Sequence, residues 1–360
     1  MNTADTDTAL ADRLTEALTL MDAPDLVLGV TRHGRRTVVT GGSALAPPMP
    51  RDALRYELGS LSKTFTVLLL ADLAVSGVLA LDDPLTGHLP DLPLRYARSR
   101  QITLRHLATH TAGLPRIPTD LVAGALLHPY ANGYARYDTA RLLDTFARTR
   151  PRHPPGAHWH YSNFGLALLG PAMAQAAGAD YATLLAERVL EPLGLTGVTL
   201  GPGTTGTDAV GHRTNGSTPV AGADMGGFLS AGAVRATPGD LLSYLEAHLF
   251  PDRTPLDRAL REVQVPLLRR GWRHRNTHTL TWYQHPAPGG PLLFHVGATF
   301  GQQAFLGYHP ASGTGIVAVA TRRGRTCHMI GTAYDLLYTL AGEAADRAAY
   351  DAGPRPAESG

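Results

Sequence analysis

Strand character stands at both ends of this 360-residue chain, and the long middle is helical. Residues 26–32 and 37–40 read as two strands joined by His33-Gly34-Arg35-Arg36, with a short third strand at 54–58. Strand character then returns at 280–284, 292–296, 303–308 and 315–321. Between them, from Pro84 to about Leu260, the pattern is mainly helical and broken by loops such as Arg150-Pro151-Arg152-His153-Pro154-Pro155-Gly156. The two strand groups therefore predict one antiparallel sheet built from both ends of the chain, with a helical lobe inserted between them: an α/β (α+β) fold. The expected division is a single domain over 1–348, its sheet lobe at about 10–59 and 265–348 and its helical lobe at about 60–264. A helix at 10–21 presents Leu14, Ala17, Leu18 and Met21 on one face. A second, from Ser60 to Val75, stops at Gly77, and a third covers 328–348. Residues 349–360, rich in Pro, Glu, Ser and Gly, read as a disordered tail.

A formal net charge of +2 gives no strong field for nucleic acid or a membrane surface. Arg269, Arg270, Arg273 and Arg275, around Trp272 and His274, read as a solvated loop. The single cysteine, Cys327, excludes an internal disulfide and suits a reducing compartment. The first 25 residues lack the basic, apolar and cleavage regions of an export signal, and no apolar run is long enough for a bilayer. The expectation is a soluble cytoplasmic protein whose partner is a small molecule or short peptide, with oligomeric state left open.

Thirty-one of the 32 basic residues are arginine, and the one lysine is Lys63. Arginine keeps its proton in a protein, whereas a lysine taken out of water can lose it and act as a base. Lys63 lies three residues after Ser60 at a predicted helix start, so the two share a face. The positive end of the helix dipole disfavours an ammonium there, and the Ser60 N–H, unpaired in the first turn, can help hold an oxyanion. Two more segments carry suitable groups. In Tyr161-Ser162-Asn163 the phenol can shuttle protons and the amide can orient a carbonyl; a bland reading has Tyr161 and Asn163 capping the helix that follows. In Phe294-His295-Val296-Gly297-Ala298, His295 offers a donor, Gly297 lets a substrate lie against the strand, and Ala298 offers a second oxyanion N–H.

Together and in this order, these motifs resemble the serine β-lactamase and penicillin-binding-protein family, whose signature includes S-x-x-K. The class C branch is the nearer likeness, with its D-alanyl carboxypeptidases, D-aminopeptidases, family VIII-type esterases and acyl transferases. Tyr56 to Thr66, Ile102 to Pro115 and Glu191-Pro192-Leu193-Gly194-Leu195 add to the resemblance, which spans about Leu26 to Leu340. It implies a β-lactamase/transpeptidase-like fold, Ser60 as acylated nucleophile, and Lys63 and Tyr161 as general acid/base groups. Asn163 would orient the substrate, His295 would stand where β-lactamases usually carry a lysine, and Ser60 with Ala298 would hold the oxyanion. Arg322, Arg323 and Arg325 fall where family members can bind a substrate carboxylate. His106 and His110 have metal-like spacing without the glutamate of H-E-x-x-H and read as structural, so neither metal nor cofactor is expected. The resulting expectation is an esterase or D-peptide amidohydrolase. A transacylase of natural-product biosynthesis is the alternative, followed by a β-lactamase and, last, an inactive ligand-binding sensor.

Overall fold

In the computed structural model, which describes residues 3–45, 47, 49–89, 91–128, 130–203, 206–271 and 276–352, hydrophobic residues alternate between two buried faces of one sheet. The first strands are β1 (Leu26–Arg32) and β2 (Arg35–Gly41). From the other end of the chain come β3 (Leu268–Arg270), β4 (Asn276–His278), β5 (Tyr283–Ala287), β6 (Gly290–Ala298), β7 (Gln303–His309) and β8 (Thr314–Ala320). The order is β2-β1-β8-β7-β6-β5-β4-β3, and every neighbouring pair is antiparallel. The seam between the two ends of the chain is β1 on β8, where Leu28 opposes Ala318 and Val30 opposes Ile316.

The two faces bury alternate residues, as a side-chain period of two requires. Leu28, Val30, Phe305, Ile316 and Ala318 pack under two helices, α1 (Thr3–Thr19) and the C-terminal Met329–Ala352. Leu14, Ala17, Leu18 and Met21 are the buried face of α1 and its exit, as their spacing predicts. Val27, Leu306, Tyr308, Val317 and Val319 join the core of the helical lobe instead. The β1–β2 turn is tighter than expected: His33 and Gly34 both take positive φ, 52° and 81°, giving the two-residue turn whose twist matches a hairpin.

Three expectations need correction. The strand at 54–58 shrinks to Tyr56–Glu57, paired with Val234–Ala236 in a small second sheet, because Gly59 at φ 51° turns the chain away. The arginine-rich segment is no loop at its ends, since β3 and β4 form the far edge of the main sheet; residues 272–275 lie outside the described residues. The last helix continues to Ala352, into the expected tail, and the remainder of that expectation, 353–360, lies outside the described residues. No helix among the described residues is long and apolar enough to cross a membrane.

After a 3-10 turn at Gly59–Leu61, helix α2 (Ser62–Val75) runs through the centre of the helical lobe, buried on nearly every side from Ser62 to Leu73. Its hydroxyls are all satisfied: the Ser62 Oγ accepts from the Val234 N–H at 2.9 Å, and Thr66 donates to the Ser230 carbonyl at 2.6 Å. That accounting lets a polar helix start sit in the core.

Candidate active site

Two glycines press the end of β6 against the turn that carries Ser60. A Cβ on Gly59 would come within 2.4 Å of the Ala298 carbonyl oxygen, and one on Gly297 within 1.8 Å of the Leu58 carbonyl oxygen. The missing side chain of Gly297 therefore makes room for the protein's own backbone, not for a substrate as its sequence context suggests. Ala298, one residue on, is exposed and lines the same cleft as Ser60.

Ser60 Oγ has two polar neighbours: the Tyr161 hydroxyl at 2.6 Å and Lys63 Nζ at 3.2 Å. Lys63 is fully buried, donates to the Ala231 carbonyl at 2.6 Å, and has no carboxylate partner among its described contacts. Its pKa is held well below the ordinary lysine value, first by burial and then by the Arg116 charge. Burial also pushes the Tyr161 phenol above its ordinary value, opposed by its bond to Ser60. Burial thus favours the uncharged form of both Lys63 and Tyr161 beside the Ser60 hydroxyl.

The cap reading of Tyr161-Ser162-Asn163 holds for a different residue. The helix α3 (Asn163–Ala177) is capped by Ser162, whose Oγ accepts from the Gly165 N–H at 2.8 Å. Asn163 stands at the first helical position, where its backbone N–H donates to the Arg116 carbonyl at 2.9 Å and its residue lines the cleft. His295 also departs from expectation. Its Nδ1 lies 2.9 Å from the Val296 carbonyl oxygen, which can only accept, so Nδ1 carries the hydrogen. Burial, with Lys63 adding, pushes its pKa down to about 3. The ring is neutral and its buried, unpartnered Nε2 is an acceptor, which replaces the donor read from the sequence.

Around these groups lies a cleft of about 760 Å³, with Trp159, Tyr134, Tyr283 and Phe300 as aromatic walls and exposed Arg116 and Arg323 as cationic ones. None of these six was anticipated as a wall except Arg323. Arg270, assigned to solvent from the sequence, stacks 3.8 Å over the Trp159 ring. Arg322 is engaged elsewhere, paired with Asp22 and donating to the Thr214 carbonyl at 2.9 Å, and Arg325 is not among the lining residues. Among the described residues no three His, Cys, Asp or Glu side chains converge to hold a metal ion.

A buried ion-pair network braces the wall beside Ala298, and sequence reading missed it. Arg235 bridges Glu57 at 3.0 Å and Asp208 at 2.5 Å, and donates to the Ala223 carbonyl at 2.9 Å. Glu57 in turn accepts from the Thr299 hydroxyl at 2.5 Å and the Ala223 N–H at 2.7 Å. Ala223 and Thr299 both line the cleft.

The family model described as Beta-lactamase matches residues 12–339. The chain belongs to the beta-lactamase family. A beta-lactamase of Pseudomonas fluorescens is 26% identical over 355 residues, covering 89% of this chain and 94% of that protein. The D-alanyl-D-alanine-carboxypeptidase/endopeptidase AmpH of Escherichia coli (strain K12) is 29% identical over 197 residues, 54% of this chain and 49% of its own. Among solved structures, a class C beta lactamase from Rhodobacter sphaeroides superposes with a TM-score of 0.75 at 25% identity, covering 93% of this chain and 99% of that one. With membership of the beta-lactamase family come the sheet-and-helix fold and the chemistry class, a serine hydrolase acting through an acyl-serine.

Proposed function

We propose that Ser60 is the acylated nucleophile and that the protein hydrolyses an ester or amide in preference to a β-lactam. The observation that carries the reading is Ser60 Oγ held between the Tyr161 hydroxyl and a fully buried lysine whose pKa burial lowers. In the first step Ser60 donates its proton to Lys63 Nζ as Oγ bonds to the carbonyl carbon. The oxyanion is held by the N–H groups of Ser60 and Ala298, and Asn163 orients the substrate. Lys63 and Tyr161 then return the proton to the leaving oxygen or nitrogen. Water, deprotonated by the same pair, releases the acyl group and restores Ser60. The preference against β-lactams rests on His295, a neutral acceptor where β-lactamases usually carry a lysine. Cytoplasmic placement suits the single buried Cys327.

The volume of the cleft favours one second reading: about 760 Å³ has room for an acceptor larger than water, as a transacylase needs. Both readings share the acyl-Ser60 intermediate, so one experiment series tests them. A fluorophosphonate should modify Ser60 alone, mapped by mass spectrometry; an adduct on Ser62 or Ser162 would overturn the assignment. Turnover of p-nitrophenyl butyrate should exceed that of nitrocefin, and equal efficiency would reverse the substrate ranking. Adding an amine at millimolar concentration should leave the acid as main product if water is the acceptor, and divert most of the acyl group if it is not.

A further inference from the structure

The proposed role of Tyr161 requires its hydroxyl to stay within hydrogen-bond reach of Ser60, although it sits in a loop between a proline-rich segment and α3. His110 is wrapped around that position. Its carbonyl accepts from the His160 N–H at 2.8 Å, its ring Nδ1 accepts from the Ser162 N–H at 3.2 Å, and its ring packs against the Tyr161 ring, tilted by 37° at 4.5 Å between centroids. One residue thus holds the backbone N–H groups of the residues before and after Tyr161 and packs on the phenol ring between them. To do so, His110 takes φ 59°, a left-handed conformation uncommon outside glycine. It is 4% exposed, and no other role is evident for it.

We infer that His110 is the positioning residue for Tyr161: a neutral imidazole whose Nδ1 lone pair and left-handed backbone fix the phenol on Ser60. The Nδ1 position must accept, so the ring carries its hydrogen on Nε2. An imidazolium would set one N–H against another and release the clamp; burial, with Lys63 and His295 adding, keeps the ring's pKa well below its ordinary 6.5. This inference rests on the reading of Tyr161 as a proton shuttle.

Asparagine separates clamp from bulk, because its Oδ1 is bonded to Cγ as Nδ1 is in histidine, and it tolerates the left-handed backbone. The readout is the rate of Ser60 modification by a fluorophosphonate, resolved into a maximal rate and a half-saturating concentration. His110→Ala should lower the maximal rate by roughly 10- to 100-fold, the scale of a misplaced catalytic group, with half-saturation little changed. His110→Asn should recover most of that loss. In a Tyr161→Phe background, His110→Ala should have little further effect, because the group it positions is gone. Equal losses in the alanine and asparagine variants, or an undiminished loss in the Tyr161→Phe background, would overturn the clamp and leave the serine chemistry standing. Tyr161→Phe with the wild-type rate would instead remove Tyr161 from the mechanism, and this inference with it. Should His110→Ala not fold, the asparagine variant and the double variant with Tyr161→Phe carry the same decision.

Discussion

Two cations are buried on either side of the strand and turn at residues 56–61, and they do opposite work. Lys63, 0% exposed, has a carbonyl and two hydroxyl-bearing neighbours but no counter-charge, so burial drives it towards the neutral amine. Arg235, 4% exposed, lies between Glu57 and Asp208, with Asp208 further paired to Arg55 at 2.9 Å. Burial without a partner makes a base; burial between two carboxylates makes a strut. The difference lies in the neighbours as well as the residue type, since a guanidinium cannot give up its proton in either setting.

The sharpest way to break the comparison is to exchange the chemistry. Lys63→Arg keeps the charge and removes the base, and should lower kcat for p-nitrophenyl ester hydrolysis by roughly three or more orders of magnitude, as in other nucleophile–base pairs. A variant keeping a tenth of the wild-type rate would make Lys63 an anchor and Tyr161 the main base. Arg235→Met should act chiefly on stability, costing about 3 kcal/mol because Glu57 would stay buried without its cation while Asp208 keeps Arg55. Urea denaturation measures that cost. A loss below 1 kcal/mol would mean that the network is solvated in solution and does not brace the Thr299 wall.

The smallest effect is a slope in pH. The buried rings of His295 and His248, pushed down to about 3 and about 4, and of His110, well below 6.5, bind protons later in the folded state than in the unfolded chain. Unfolding therefore takes up protons between pH 6.5 and about 4. Their contribution is complete above pH 6.5 and is lost as pH falls, at up to about 1.4 kcal/mol per pH unit for each fully buried histidine. Lys63 adds a slope of the same sign, with stability rising with pH towards the unfolded lysine's 10.5. Urea midpoints at pH 7, 6 and 5 should fall in that order; a flat profile would show these rings to be hydrated.

What could be read from the sequence follows from how local each signal is. Strands β1, β7 and β8 were legible because nearly every residue in them is apolar or small. The edge strands β3 and β4 carry Arg, Asn, Thr and His, a composition that suits an exposed edge and reads as a loop. Ser60, Lys63 and Tyr161 came together as their motifs implied, whereas the Glu57–Arg235 pair joins residues 178 apart with no motif between them. Whether His295 donates or accepts was beyond any motif, since the Val296 carbonyl decides its tautomer. Likewise Gly297 read as open space for a substrate, and only the approach of Leu58 shows that the space is filled.

A single lysine, placed at Ser60, makes the protonation state of the site separately observable. Protein grown on nitrogen-15 lysine carries one labelled Nζ, so its side-chain nitrogen resonance reports the Lys63 proton with no assignment problem. The same resonance, followed through acylation and release of Ser60, would time the arrival and departure of that proton against the chemistry it serves.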